Sequence, residues 1–103
     1  MTTWFITRHP GARDWAEREA LKIDRYCAHL DPQDVQPGDT VIGSLPVHLA
    51  AAVCARGARY FNLSLDLTAA ARGKELSAVE LETFNARIEE YEVRAIPPAV
   101  GAS

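Results

Sequence analysis

The sequence predicts an α/β fold, a small and mainly parallel four-stranded sheet with about three helices. Three observations carry the prediction. Short apolar and β-branched runs alternate with stretches of good helix formers. Clusters of Pro, Gly and Asp separate them. The chain has 103 residues, 48% apolar and 24% charged, which suits one small globular domain and neither a disordered chain nor a coiled coil. Strand and helix alternating in this way build a parallel sheet through right-handed crossovers.

Trp4 to Thr7 is aromatic, apolar and β-branched and forms the first predicted strand, stopped by Pro10-Gly11. Residues 12–22 are rich in Ala, Glu, Arg and Leu, and Ala12, Trp15, Ala16 and Ala20 share one helical face. A weaker strand lies within Ile23 to Leu30. Asp31-Pro32 and Gln36-Pro37-Gly38-Asp39 are turn signals, the second suiting a type II turn. Thr40-Val41-Ile42 is the third strand. Pro46 falls near the first turn of the next helix, where a missing N–H costs nothing. Leu49, Ala50, Val53 and Cys54 give that helix its apolar stripe, and Gly57 stops it.

Tyr60 to Leu65 is the fourth strand, and it alternates: Phe61, Leu63 and Leu65 on one face, Asn62 and Ser64 on the other. A strand covered on both faces is apolar throughout, so the polar face is expected to meet solvent, a ligand or a partner. Ser77-Ala78-Val79-Glu80 is a capping box, with Leu76 and Leu81 placed as a hydrophobic staple. Leu81, Phe84, Ile88 and Tyr91 extend a helical stripe from it. Residues 4–92 are thus expected to form the single domain. Residues 93–103, with Pro97-Pro98 and an Ala/Gly/Ser end, are expected to be a flexible tail.

The formal charge is −3, and it is unevenly spread: residues 1–75 carry nine basic and nine acidic side chains, residues 76–103 two and five. Without a broad basic face, long nucleic acid is excluded as a partner, while a small anion in a local Arg pocket is not. No segment has the length of a membrane span. Arg8 and Arg13 stand where a secretory signal needs an apolar core, so a cytoplasmic location is expected. Cys27 and Cys54 lack metal-ligand spacing and read as reduced, mostly buried thiols.

In open α/β sheets, ligands bind beyond the C-terminal strand ends, and three such ends are polar here. Thr7-Arg8-His9-Pro10-Gly11 puts a guanidinium and an imidazole at a strand tip, ahead of a helix N-terminus, where backbone N–H groups favour phosphate. The alternative is that Arg8 pairs with a carboxylate and His9 only caps the helix. Gly43-Ser44-Leu45-Pro46 offers a close backbone approach and a hydroxyl, with Ser44 as a plain N-cap the competing reading. The third end runs from Ser64 through Asp66 to Arg72-Gly73-Lys74-Glu75, a loop able to close over an anion, or an ordinary solvated loop. There is no G-x-G-x-x-G, no P-loop and no G-x-S-x-G. His9, His29 and His48 show no metal-ligand spacing, and His48 reads as solvent-exposed.

Trp4-Phe5-Ile6-Thr7-Arg8-His9-Pro10-Gly11-Ala12 with Trp15-Ala16, the run from Asp31 to Val47, Arg59-Tyr60-Phe61 with Leu63 to Leu67, and Arg72-Gly73 before Glu75-Leu76 together resemble a family. It is a small accessory family of type III CRISPR systems, similar to the ring nucleases. The resemblance spans about residues 4–92. It implies a Rossmann-like fold, a homodimer, and degradation of the second messenger cyclic oligoadenylate, cyclic tetra-adenylate most commonly, which switches the immune response off.

The implied chemistry needs no cofactor or metal. The ribose 2′-hydroxyl attacks the neighbouring phosphodiester and leaves a 2′,3′-cyclic phosphate, with the reacting atoms held in line. Arg8 and strand-tip amides would stabilise the phosphorane charge, and His9 would assist proton transfer. These two are the expected catalytic residues. Thr7, Pro10, Gly11, Gly43, Ser44, Leu45, Asn62, Ser64, Asp66, Arg72 and Lys74 are the expected ligand contacts. Two other functions stay open: a sponge that binds the ring uncut, and a protein-interaction subunit whose acidic last helix docks a CRISPR effector.

Overall fold

Burial on both faces explains why the first and third apolar runs lack alternation. In the computed structural model, which describes residues 1–98, β1 (Thr3–Ile6) lies between β2 (Arg25–Cys27) and β3 (Thr40–Gly43), followed by β4 (Arg59–Ser64) and β5 (Arg87–Tyr91). The order is β2-β1-β3-β4-β5. The first four strands are parallel, and β5 runs antiparallel to β4. Three helices complete the fold: α1 (Pro10–Arg18), α2 (Val47–Ala55) and α3 (Ala78–Thr83). The expected α/β class holds.

Register sets the two cores. Trp4, Val41 and Tyr60 align across the sheet and pack with Ile6, Ala50 and Val53 beneath α2. Phe5, Ile42 and Phe61 align on the other face with Trp15 and Ala16 of α1 and Leu81 of α3. Successive residues of β1 and β3 therefore enter opposite cores, which demands continuous apolar sequence.

The predicted four-stranded sheet is corrected to five strands, because the third helix ends early. Asn85 adopts φ 58° after α3. Its N–H reaches Glu82 O at 3.0 Å and the Ala86 N–H reaches Leu81 O at 2.9 Å. These paired bonds form a Schellman motif. Asn tolerates the left-handed conformation it requires. The chain then reverses into β5, where Ile88 faces Leu63 in the antiparallel register. Ile88 still joins the core that the helical stripe predicted for it, but from a strand. The capping box at Ser77 is present as expected, with both reciprocal hydrogen bonds. Charged Arg87, Glu89 and Glu90 sit on this outer strand, and charge on an edge discourages pairing with other chains.

The other two helices end in the same motif, at Gly57 (φ 87°) and at Ala20 (φ 56°). After α1, Ala20 N–H bonds Glu17 O and Leu21 N–H bonds Ala16 O. α1 thus stops before the expected residue 22 and begins earlier, with Pro10 in its first turn. Val93 packs against the α2-side core, and its N–H donates to Cys54 Sγ at 3.4 Å. The expected tail continues into residues 99–103, which lie outside the described residues. Cys27 and Cys54 are free and half-buried. No helix among the described residues is long and apolar enough to cross a membrane.

At the N-terminal end of the sheet, Asp39 is only 3% exposed. Its Oδ1 accepts from the Thr2 N–H at 2.9 Å, and its Oδ2 from the Gln36 N–H at 3.0 Å and Trp4 Nε1–H at 3.1 Å. Burial pushes the carboxyl up, but the donors of Gln36, Thr2 and Trp4 outweigh it and hold Asp39 below the ordinary aspartate range.

Two stability predictions follow from these groups. Ala20→Gly should raise stability by about 0.5–1 kcal/mol in urea denaturation, because glycine removes the left-handed strain. Asp39→Asn should cost about 1–3 kcal/mol, since even the better orientation of the amide turns its NH2 toward the Thr2 N–H and leaves that donor unpaired. A depressed carboxyl contributes stability that is fully present above the ordinary value of about 4 and is lost as pH falls through the lower folded value. The gap between wild type and Asp39→Asn should therefore narrow in acid; a gap that widens there contradicts the assignment.

Candidate functional site

The strand order reverses at β1: the chain crosses to β2 on one side and then to β3 on the other. Connections leave the tips of β1 and β3 in opposite directions, which opens a crevice between them. A cavity of about 620 Å³ occupies that position. Thr7, Arg8 and His9 come to it from the β1 tip, Ser44 and Leu45 from the β3 tip, and His29 and Leu30 from the segment after β2. Leu63, Leu65 and Leu67 form a wall from β4 and its loop, and Lys74 and Leu76 close the side next to α3.

His9 occupies the N-cap position of α1, but its side chain caps nothing. Thr7 Oγ1 instead accepts the His9 N–H at 3.1 Å. The imidazole turns to Glu75, with Nδ1 to Oε1 at 2.7 Å. Arg8 is exposed and makes no ion pair among the described residues, and neither does Lys74. The expected alternatives for this tip, a carboxylate partner for Arg8 and a capping His9, are therefore not what the structure contains. The first turn of α1 carries no acidic residue, so its partial positive charge stands beside two free cations.

Ser44 is not an N-cap, since Pro46 holds that position. Its Oγ donates to Leu63 O at 3.0 Å and ties the β3 tip to β4. Behind it, Tyr60 Oη accepts the Leu45 N–H at 3.1 Å. Having one proton, Tyr60 donates it either to Asn62 Oδ1 at 2.6 Å or to Gly43 O at 3.0 Å. Burial pushes the Tyr60 hydroxyl up, so it stays protonated. Asn62 Nδ2 donates to Ser64 Oγ at 2.9 Å. The polar face of β4 thus has an internal use: it braces the backbone of the β3 tip.

Several expected contacts do not line the cavity. Asn62 and Ser64 lie in that bracing chain. Asp66 accepts from Asn85 Nδ2 at 3.1 Å and from Arg87 Nη1 at 3.2 Å, and these bonds hold its carboxyl below the usual range. Arg72 is exposed outside the cavity at the end of a short 3₁₀ turn, Ala69–Ala71. Pro10 starts α1. A side chain at Gly43 would lie 2.7 Å from Ile6 O, so this glycine serves strand packing. Gly11 is buried, and a Cβ there would collide with the Leu76 carbonyl. His48 is exposed, as expected.

The residues that sequence reasoning missed are His29, the leucine wall and Glu75. His29 was visible as a polar residue shortly after a weak strand. Glu75 stood in the third polar strand-end loop, Arg72-Gly73-Lys74-Glu75, but nothing local paired it with His9. Among the described residues, no three His, Cys, Asp or Glu side chains group as metal ligands. The arrangement suits a ligand with a flat apolar part, lodged among leucines, and an anionic part between Arg8, Lys74 and the α1 N-terminus.

Fold and cavity together define a small Rossmann-like α/β domain with a cationic, leucine-walled crevice at its switch point. Residues 4–94 match the model of the family described as "Putative CRISPR-associated protein (Cas_VVA1548)", and the chain belongs to that family. No curated protein and no solved structure matched the chain.

The contact at Gly11 generates a prediction. Gly11→Ala should destabilise the protein by about 1–3 kcal/mol, because backbone cannot rotate away from the new methyl as a side chain would. Thermal unfolding measures this, and an unchanged midpoint would show that α1 and the Leu76 segment are not in close contact.

Proposed function

We propose that the protein is a CRISPR-associated ring nuclease, which binds cyclic oligoadenylate, cuts it and so switches off type III CRISPR signalling. The observation that carries the reading is the meeting of Arg8, His9 and Lys74 around one leucine-walled cavity. Membership of a CRISPR-associated family supports it. An adenylate ring presents apolar bases and anionic phosphodiesters, the two chemistries that the cavity accommodates.

The mechanism is metal-independent. Arg8 holds a phosphodiester through its fork and stabilises the charge that grows on phosphorus oxygens. Lys74 adds a second cation. His9 accepts the proton of the attacking 2′-hydroxyl. The strand tips hold the 2′-oxygen, phosphorus and 5′-oxygen in line. A ring with two-fold symmetry suits a two-fold homodimer, which the proposal includes.

Incubation with cyclic tri-, tetra- and hexa-adenylate in excess EDTA, with products resolved by mass, tests the reading. Cyclic tetra-adenylate should yield 2′,3′-cyclic phosphates, and a 2′-O-methylated ring should bind uncut. A ring recovered intact but bound points to the sponge; absence of binding points to a protein-interaction role. Arg8→Ala should lose affinity and on the order of 10²–10³ in rate, with little rescue by Arg8→Lys. His9→Ala should lose about 10²-fold in single-turnover rate at nearly unchanged affinity.

A further inference from the structure

Glu75 lies 66 residues from His9 in sequence, yet its carboxylate meets His9 Nδ1 at 2.7 Å. We propose that Glu75 is a positioning residue for proton transfer: it keeps the neutral imidazole protonated on Nδ1 and leaves the Nε2 lone pair for the substrate. The proposal rests on the ring-nuclease reading and names a part of that same site.

An ionised carboxylate only accepts hydrogen bonds, so a neutral His9 facing it must carry its proton on Nδ1. Nε2 makes no hydrogen bond among the described residues, while the His9 side chain borders the cavity. The pair has little structural value to explain it. Both side chains are well exposed, 59% for His9 and 64% for Glu75, and exposed ion pairs contribute little to folding. The start of α1 does not need it either, since the His9 carbonyl already accepts the Ala12 N–H at 3.1 Å.

In the reaction, the 2′-oxygen forms its bond to phosphorus as its proton passes to His9 Nε2. The phosphorus–5′-oxygen bond breaks, and the departing oxygen takes a proton from solvent water. His9 is then an imidazolium, doubly protonated, and Glu75 stabilises that charge directly. The imidazolium returns its Nε2 proton to water, which restores the starting state.

Long-range ¹H–¹⁵N spectra of the imidazole, recorded where His9 is neutral, test the tautomer without reference to activity. Wild type should show Nδ1 protonated, and Glu75→Ala should shift the ring toward Nε2 protonation. A wild-type ring protonated on Nε2 overturns the proposal. Single-turnover cleavage of cyclic tetra-adenylate tests the role in the reaction. Glu75→Gln should lose on the order of 10–100-fold in rate at unchanged ring affinity. In a His9→Ala background the same substitution should cost nothing more, because the residue acts through His9. Additive losses overturn the proposal. A wild type that cuts no ring overturns the parent reading and the reaction step with it, while the wild-type tautomer still decides whether the dyad stands.

Discussion

The buried carboxylate of Asp39 is the constraint on which the arrangement of the site depends. It gathers the N–H of Thr2, the indole N–H of Trp4 and the N–H of Gln36, and so joins the start of β1 to the turn that leads into β3. An acceptor-only group facing three donors cannot be exchanged for an apolar one without orphaning those donors. Thr40 N–H bonds Thr2 O from the same place, and Arg59 N–H bonds Asp39 O, which brings β4 into line. The strands are short: four residues of β1 span about 13 Å. A register set at one end is therefore delivered almost without slack to the other, where Thr7, Arg8 and His9 come level with Ser44 and Leu45.

The two ends of the sheet thus have separate duties. The N-terminal end gathers three donors onto one buried acceptor, the depressed Asp39 carboxyl. The C-terminal end leaves polar groups unspent: Arg8 and Lys74 without carboxylates among the described residues, an α1 N-terminus without an acidic residue in its first turn. Between them, the bracing chain from Leu45 through Tyr60 to Asn62 and Ser64 stiffens the β3 tip from the α2 side. Rigid support behind a surface with free cations is the arrangement that a binding site requires.

Much of this was legible in the sequence, and what was not has particular causes. β1, β3, β4 and α2 are signalled locally, by apolar runs and by Pro46 and Gly57. The β1 and β3 tips were legible as candidate sites because strand ends in such folds collect ligands. The polar face of β4 was legible as unusual, but not its use, because Tyr60 reaches Gly43 and Leu45 only after β3 and β4 pair. The last strand was misread because Leu81, Phe84 and Ile88 satisfy a helical period, while one left-handed residue, Asn85, ends the helix. Asp66 was read as a ligand contact; it is engaged by Asn85 and Arg87, the residues around that unforeseen turn.

The pairing of Glu75 with His9 was not legible for a deeper reason, since its placement comes from backbone contacts and not from its own chemistry. Gly11, in the first turn of α1, has no side chain, and the Leu76 carbonyl occupies the space one would fill. One residue further on, Ser77 and Glu80 close the capping box that fixes where α3 begins. The Glu75 backbone is thus placed by two constraints that follow it directly in the chain, the close approach at Leu76 and the helix start at Ser77. The α1 segment that accommodates Leu76 is the one that begins at His9. Both partners of the pair are therefore referred to the same few residues of α1, and their meeting depends on that packing more than on the attraction of two exposed charges, which alone is too weak to order them. A glycine that the sequence offers as a ligand contact is also the spacer that lets the Leu76 segment approach α1, next to the point where an imidazole and a carboxylate meet at hydrogen-bonding distance.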